Sequence, residues 1–139
     1  MAAPDFLAPV VEVTAGLICD EGGRYLITRR VAGSHLEGLW EFPGGKVEDG
    51  EDPRACLARE LREELAIEAT IGPEVHRTSH CYSNGFAVEL LFYRVEAYCG
   101  APQNRAFQEV RWAAPAELPE LDFLEADREL VKLLAAGRL

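Results

Sequence analysis

Basic residues are scarce in this chain. Its 139 residues set 14 Lys and Arg against 24 Asp and Glu, for a net charge of −10 at pH 7. That shortage excludes a broad grip on a nucleic acid polymer, which needs clustered Lys and Arg, and disfavours an anionic membrane surface. A small polyphosphate stays possible, because a divalent cation can invert the local field. Long apolar runs are also missing: nothing reaches the roughly 18 residues of a membrane-spanning helix. Met1–Asp5 lacks the basic and apolar segments of a signal peptide. The four cysteines, at 19, 56, 81 and 99, form no CxxC pair, so reduced thiols and a cytoplasmic location are expected. Cys19 in an apolar run and Cys56 in a helical pattern read as packing residues. Repeats, low-complexity tracts and interdomain linkers are absent.

What remains is the composition of a globular protein, 48% hydrophobic and 27% charged. The expectation is one domain over 1–139, with 1–9, carrying Pro4 and Pro9, as a loose lead-in. Val10–Cys19 and Arg24–Arg30 read as strands around the Asp20–Gly23 turn. Residues 31–50 are Gly-rich and loop-like, and so long a loop is usually functional. A helix begins cleanly at Pro53 behind an Asp52 cap and runs to Leu65. After Gly72-Pro73, strands are expected near 75–82 and 86–98, joined through Ser83-Asn84-Gly85, and another near 108–113. Pro115 and Pro119 mark a loop. Residues 124–136 form an amphipathic helix with Leu124, Leu130, Val131, Leu133 and Leu134 on its apolar face. The class is α+β.

At about 100° per residue, Leu57, Ala58, Leu61 and Leu65 share the core-facing arc of the 53–65 helix. Glu60, Glu63 and Glu64 share another. Their mutual repulsion costs roughly 0.2–0.5 kcal/mol per pair, and Arg59 and Arg62 flank the arc. Alone, such an arc reads as a solvated acidic face. Here Pro43-Gly-Gly-Lys46 lies just upstream, where glycines let backbone approach a ligand, with Glu48 and Glu51 between. A phosphate-facing loop followed by a carboxylate-bearing helix suits metal-assisted cleavage of a phosphoanhydride. Mg²⁺ wants carboxylate oxygens and binds phosphates through its remaining positions.

Gly45, then Glu51, then Arg59-Glu60-Leu61-Arg62-Glu63-Glu64-Leu65-Ala66-Ile67 resembles the Nudix box at every specified position except one, where the family's last Gly is Ala66. The resemblance implies a mixed sheet between helices over nearly the whole chain. A Gly after a helix usually serves a left-handed position, so Ala66 implies a stability cost of about 1 kcal/mol rather than a lost ligand. Thr28-Arg-Arg30, His35 and Gly38–Glu48 are similar to the MutT-type branch, which hydrolyses nucleoside triphosphates, and within it to the bacterial CTP pyrophosphohydrolase group. Leu121–Val131 resembles the MutT tail, whose Asn or Asp contacts the base; that residue is Asp127.

By this resemblance Glu60, Glu63 and Glu64 hold Mg²⁺ (or Mn²⁺), one of them able to act as base, and the Gly44 carbonyl completes the shell. Glu51 pairs with Arg59 and orients the helix. MutT relatives add a Glu where Ala106 stands here, leaving Glu109 or no residue as a fourth ligand. Arg30 and Lys46 are phosphate contacts or surface cations. His35 is a pocket or a surface residue, and Tyr82 a base-stacking or a packing one. Trp40 and Phe42 belong to the core; His76 and His80 are not ligands. The implied reaction converts a nucleoside triphosphate and water to the monophosphate and pyrophosphate, clearing modified or oxidised nucleotides of the CTP, 5-methyl-dCTP or 8-oxo-dGTP type. A catalytically weak nucleotide sensor is the alternative. A monomer or homodimer is expected, without nucleic acid or membrane partners.

Overall fold

The computed structural model describes residues 10–83, 85 and 87–139. Its strands are β1 (Val10–Leu17), β2 (Tyr25–Arg29), β3 (Trp40–Glu41), β4 (Gly44–Lys46), β5 (Glu68–Cys81), β6 (Ala87–Cys99) and β7 (Glu109–Ala113). Helix α1 (Pro53–Leu65) lies between β4 and β5. Two 3₁₀ turns, Pro115–Glu120 and Glu125–Asp127, lead into α2 (Arg128–Ala135). The strands form two sheets, ordered β4-β1-β6-β5 and β3-β2-β7. β1 and β6 run parallel and the other pairs antiparallel. The expected α+β layering is present, with the strands divided between two sheets.

Alternation explains the layers. β6 sends Leu90 and Phe92 into one core cluster and Leu91, Tyr93 and Val95 into another, as a strand buried on both faces must. The first cluster joins Leu17 and Ile27 to Leu118, Leu130, Val131 and Leu134 of the C-terminal segment. Trp40 and Phe42 belong to it, as expected. The second joins Ile18 and Leu26 to Leu57, Leu61 and Leu65 of α1. Each fully buried leucine contributes about 1.5–3 kcal/mol.

Helix α1 forms where the sequence signals it. The Asp52 carboxylate accepts from the Ala55 N–H at 3.1 Å, satisfying a donor that the helix itself leaves free. At the other end Ala66 is left-handed, with φ 59° and ψ 34°, and its N–H reaches the Arg62 carbonyl.

Several elements differ from expectation. β5 runs through Gly72-Pro73 with register shifts between Thr70 and His76; bulges accommodate a proline that cannot donate to the ladder. The 31–50 loop contains β3 and β4, both too short to show alternation. Pro115–Glu120 is a 3₁₀ turn rather than open loop, and its Glu117 accepts from the Ala114 N–H at 2.8 Å. The C-terminal helix is split, starting as the 3₁₀ turn. Cys19 is exposed at the end of its hairpin, whereas Cys56 is buried. Arg62 leaves the acidic arc and pairs with Glu68 at 2.9 Å. The 1–9 lead-in and Asn84 of the expected turn lie outside the described residues. Among the described residues no helix is long and apolar enough to cross a membrane.

The left-handed alanine gives the first test. Ala66→Gly is expected to stabilise the protein by about 1 kcal/mol by removing a Cβ clash, raising the Tm by about 3 °C at this size. A calorimetric scan measures it, and a lower Tm would contradict the cap.

Candidate active site

The site begins with two glycines. β4 pairs with β1 so that Gly45 faces Thr14 and Gly44 faces Ala15. A Cβ on Gly44 would come within 1.9 Å of the Thr14 carbonyl oxygen, and one on Gly45 within 2.3 Å of Glu60 Oε2. The first glycine lets the strands meet; the second leaves the space that the Glu60 carboxylate fills. Behind them Thr14 is buried and its hydroxyl donates to the Gly45 carbonyl at 3.2 Å.

Arg59 fixes the helix to the preceding loop. Its Nε and Nη2 donate to the two carboxylate oxygens of Glu51 at 2.8 and 3.0 Å, the bidentate geometry that makes such pairs strong. These hydrogen bonds hold the Glu51 carboxyl down at about 2. Nη1 of Arg59 also reaches Glu60 at 3.4 Å and Glu63 at 3.3 Å.

A cleft of about 410 Å³ opens beside β4. Glu60, Glu64, Gly44, Lys46, Arg30, His35, Tyr82 and Asp127 all line it. Glu51 and Arg59 stand behind this wall, and Glu63 lies at its outer edge, 57% exposed. Ala106 and Phe107 complete one side. Glu109 instead faces Arg29, 3.9 Å away on the neighbouring strand. Arg30 does not stand free: Nε donates to the His35 carbonyl at 2.6 Å, and Nη1 lies 3.2 Å from Glu41.

Glu41 is the residue that sequence reasoning missed. It lines the cleft between two buried aromatics, Trp40 and Phe42, on a strand of two residues that offers the sequence no periodic signal. Glu41, Glu60, Glu64 and Asp127 crowd one cavity, and all four carboxyls are pushed up, first by burial. Glu64 reaches about 7, with Glu60, Glu41 and Glu63 adding repulsion. Asp127 is 2% exposed, raised also by Glu41 and lowered by the Phe42 N–H. A cation would relieve this crowding.

Among the described residues no three acidic, imidazole or thiol side chains form a closed metal cage. The residues suited to hold a divalent cation are Glu60, Glu64 and the Gly44 carbonyl, which line the cleft, with Glu63 next to Glu64 on α1.

The chain is similar to known proteins over most of its length. The family model described as "NUDIX domain" matches residues 14–133. The chain is 39% identical over 130 residues to the CTP pyrophosphohydrolase of Escherichia coli (strain K12), covering 93% of this chain and 94% of that protein. It is 39% identical over 123 residues to the putative 8-oxo-dGTP diphosphatase 2 of Mycobacterium tuberculosis (strain H37Rv), covering 88% and 86%. The solution structure of the Escherichia coli ORF135 protein superposes with a TM-score of 0.82 at 37% identity, over 94% of this chain and 92% of that one. The chain therefore belongs to the Nudix hydrolase family.

Proposed function

We propose that the cleft hydrolyses a nucleoside triphosphate to the monophosphate and pyrophosphate, using Mg²⁺ or, as a substitute, Mn²⁺. The substrates in view are modified or oxidised nucleotides, of the CTP and 5-methyl-dCTP type or the 8-oxo-dGTP type. The observation that carries this reading is the make-up of one cavity. The carboxylates of Glu60 and Glu64 share it with the cations Arg30 and Lys46 and with the buried Asp127. The names of the relatives, a CTP pyrophosphohydrolase and an 8-oxo-dGTP diphosphatase, support the same reaction class.

In this reading Glu60, Glu63 and Glu64 would hold the cation, with the Gly44 carbonyl, and the bound ion would supply charge neutralisation for the triphosphate and a lowered pKa for water. One of the three glutamates takes the proton from the attacking water. Arg59, anchored by Glu51, restrains Glu60 and Glu63 so that the wall does not splay apart under its own repulsion. Lys46 and Arg30 present positive charge to phosphate oxygens. His35 and Tyr82 border the nucleoside, their rings 6.1 Å apart and edge to face. Asp127 meets the base edge. An ionised Asp only accepts hydrogen bonds, but one raised by burial can keep its proton and donate.

Three outcomes test the reading. Glu64→Gln is expected to lower turnover by about 100-fold or more, while the metal-free protein becomes more stable, because a buried like-charged group is gone. Full turnover in excess chelator would contradict the metal's role. Asp127→Asn is expected to change the ratio of activities on cytosine and oxidised-guanine triphosphates by an amount worth about 1–3 kcal/mol, leaving metal dependence alone. If all substrates change together, Asp127 does not read the base.

The same variant has a stability signature. Because the folded-state pKa of Asp127 is raised above 3.8, the folded protein keeps a proton that the unfolded chain loses. Stability therefore falls as pH climbs from that value towards the raised one. Asp127→Asn removes this slope, so its Tm advantage over the parent is expected at pH 7 and is expected to vanish near pH 3.

A further inference from the structure

Two histidines on β5 take no part in the chemistry above. His76 and His80 pair in register with Phe92 and Val88 of β6 and lie on the face covered by the C-terminal segment. His76 Nε2 is 3.2 Å from Glu129, and His80 Nε2 is 3.0 Å from Glu125. The imidazoles are largely buried, 14% and 24% exposed, whereas the two glutamates are 69% and 61% exposed. Both Nε2 atoms are buried, and neither has an aligned hydrogen-bond partner among the described residues.

That combination sets the nature of the contact. A neutral N–H gains little from an acceptor it does not point at. An imidazolium gains Coulomb attraction from a carboxylate at 3 Å whatever the angle. The groups facing the rings are few. From β6 come Phe92, with its ring 5.7 Å from His76, and Val88. Beyond the end of β5 comes Tyr82, 4.5 Å from His80. From the C-terminal segment come Glu125 and Glu129, with Asp127 acting on Tyr82 from across the cavity. Arg77, between the histidines in sequence, is engaged by Glu74 and Glu89.

Asp127 stands midway between the two glutamates and lines the cleft. It belongs to a single 3₁₀ turn and makes no side-chain cap, and such a turn has little stability of its own. We propose that His76 and His80 are positioning residues for Asp127. They hold Glu129 and Glu125 against β5 and seat the 125–129 turn that carries Asp127 to the cleft. The inference rests on the reading of this cleft as a nucleotide site with Asp127 at the base.

Removing either side of the two contacts frees the turn. The loosening is felt in substrate binding, with kcat unaffected.

The test measures KM and kcat for the parent, for His76→Gln with His80→Gln, and for Glu125→Gln with Glu129→Gln. Amide protection factors of Asp127 and Leu130 are measured by NMR in the same three proteins. Both double variants are expected to show a KM raised about two- to fivefold, the range of one partly exposed ion pair, with kcat unchanged and protection at Asp127 and Leu130 lowered. An unchanged KM and unchanged protection in both variants would overturn the proposal. If the histidine variant fails to fold, the glutamate variant, which alters only exposed carboxylates, decides. If no nucleoside triphosphate is turned over, the reading of the cleft fails, and the protection factors alone judge the clamp: equal protection in parent and variants overturns it.

Discussion

Crowded negative charge is the constraint on which this structure turns. Four carboxyls share one cleft, and burial pushes each towards its protonated form. A fold that sought stability alone would place apolar groups there, since unpaired buried charge is expensive. The surrounding architecture restrains the charge instead of removing it. Arg59 takes Glu51 with a two-point grip and touches Glu60 and Glu63. Arg30 takes Glu41 on the opposite wall. Gly45 of β4 then leaves the space that the Glu60 carboxylate occupies.

The two faces of β6 divide the work. On one, Leu57, Leu61 and Leu65 lock α1 down and so set the direction of its glutamates. On the other, Leu130, Val131 and Leu134 lock the C-terminal helix, which ends the cleft with Asp127. Glu60 and Glu64 of α1 and Asp127 beside the C-terminal helix thus come from elements packed on different core clusters and meet in one cleft.

Much of the carboxylate wall was legible in the sequence because its signals are local. Asp52, Pro53 and the leucine spacing give α1 its limits, and the box spacing gives Glu60, Glu64 and the Arg59–Glu51 pair. Even the left-handed Ala66 followed from a missing glycine. What escaped depends on tertiary contact. Glu41 sits on a two-residue strand with no periodicity to reveal it, and only Arg30 and the cavity explain it. The β5 strand was cut short because Gly72-Pro73 reads as a break, whereas bulges carry the ladder through. Arg62 flanks the acidic arc in projection, yet the start of β5 brings Glu68 to it. Cys19 shows the same limit: an apolar run ends in a hairpin whose last residue faces water.

The central claim is that the cleft splits a nucleoside triphosphate so that the two outer phosphates leave together. Its most direct measurement incubates the protein with Mg²⁺ and a panel of nucleoside triphosphates, and scores pyrophosphate against orthophosphate. The account predicts nucleoside monophosphate and pyrophosphate in equal amounts, with orthophosphate appearing only when a pyrophosphatase is added. Stepwise release of orthophosphate, or no turnover of any nucleoside triphosphate, would contradict it.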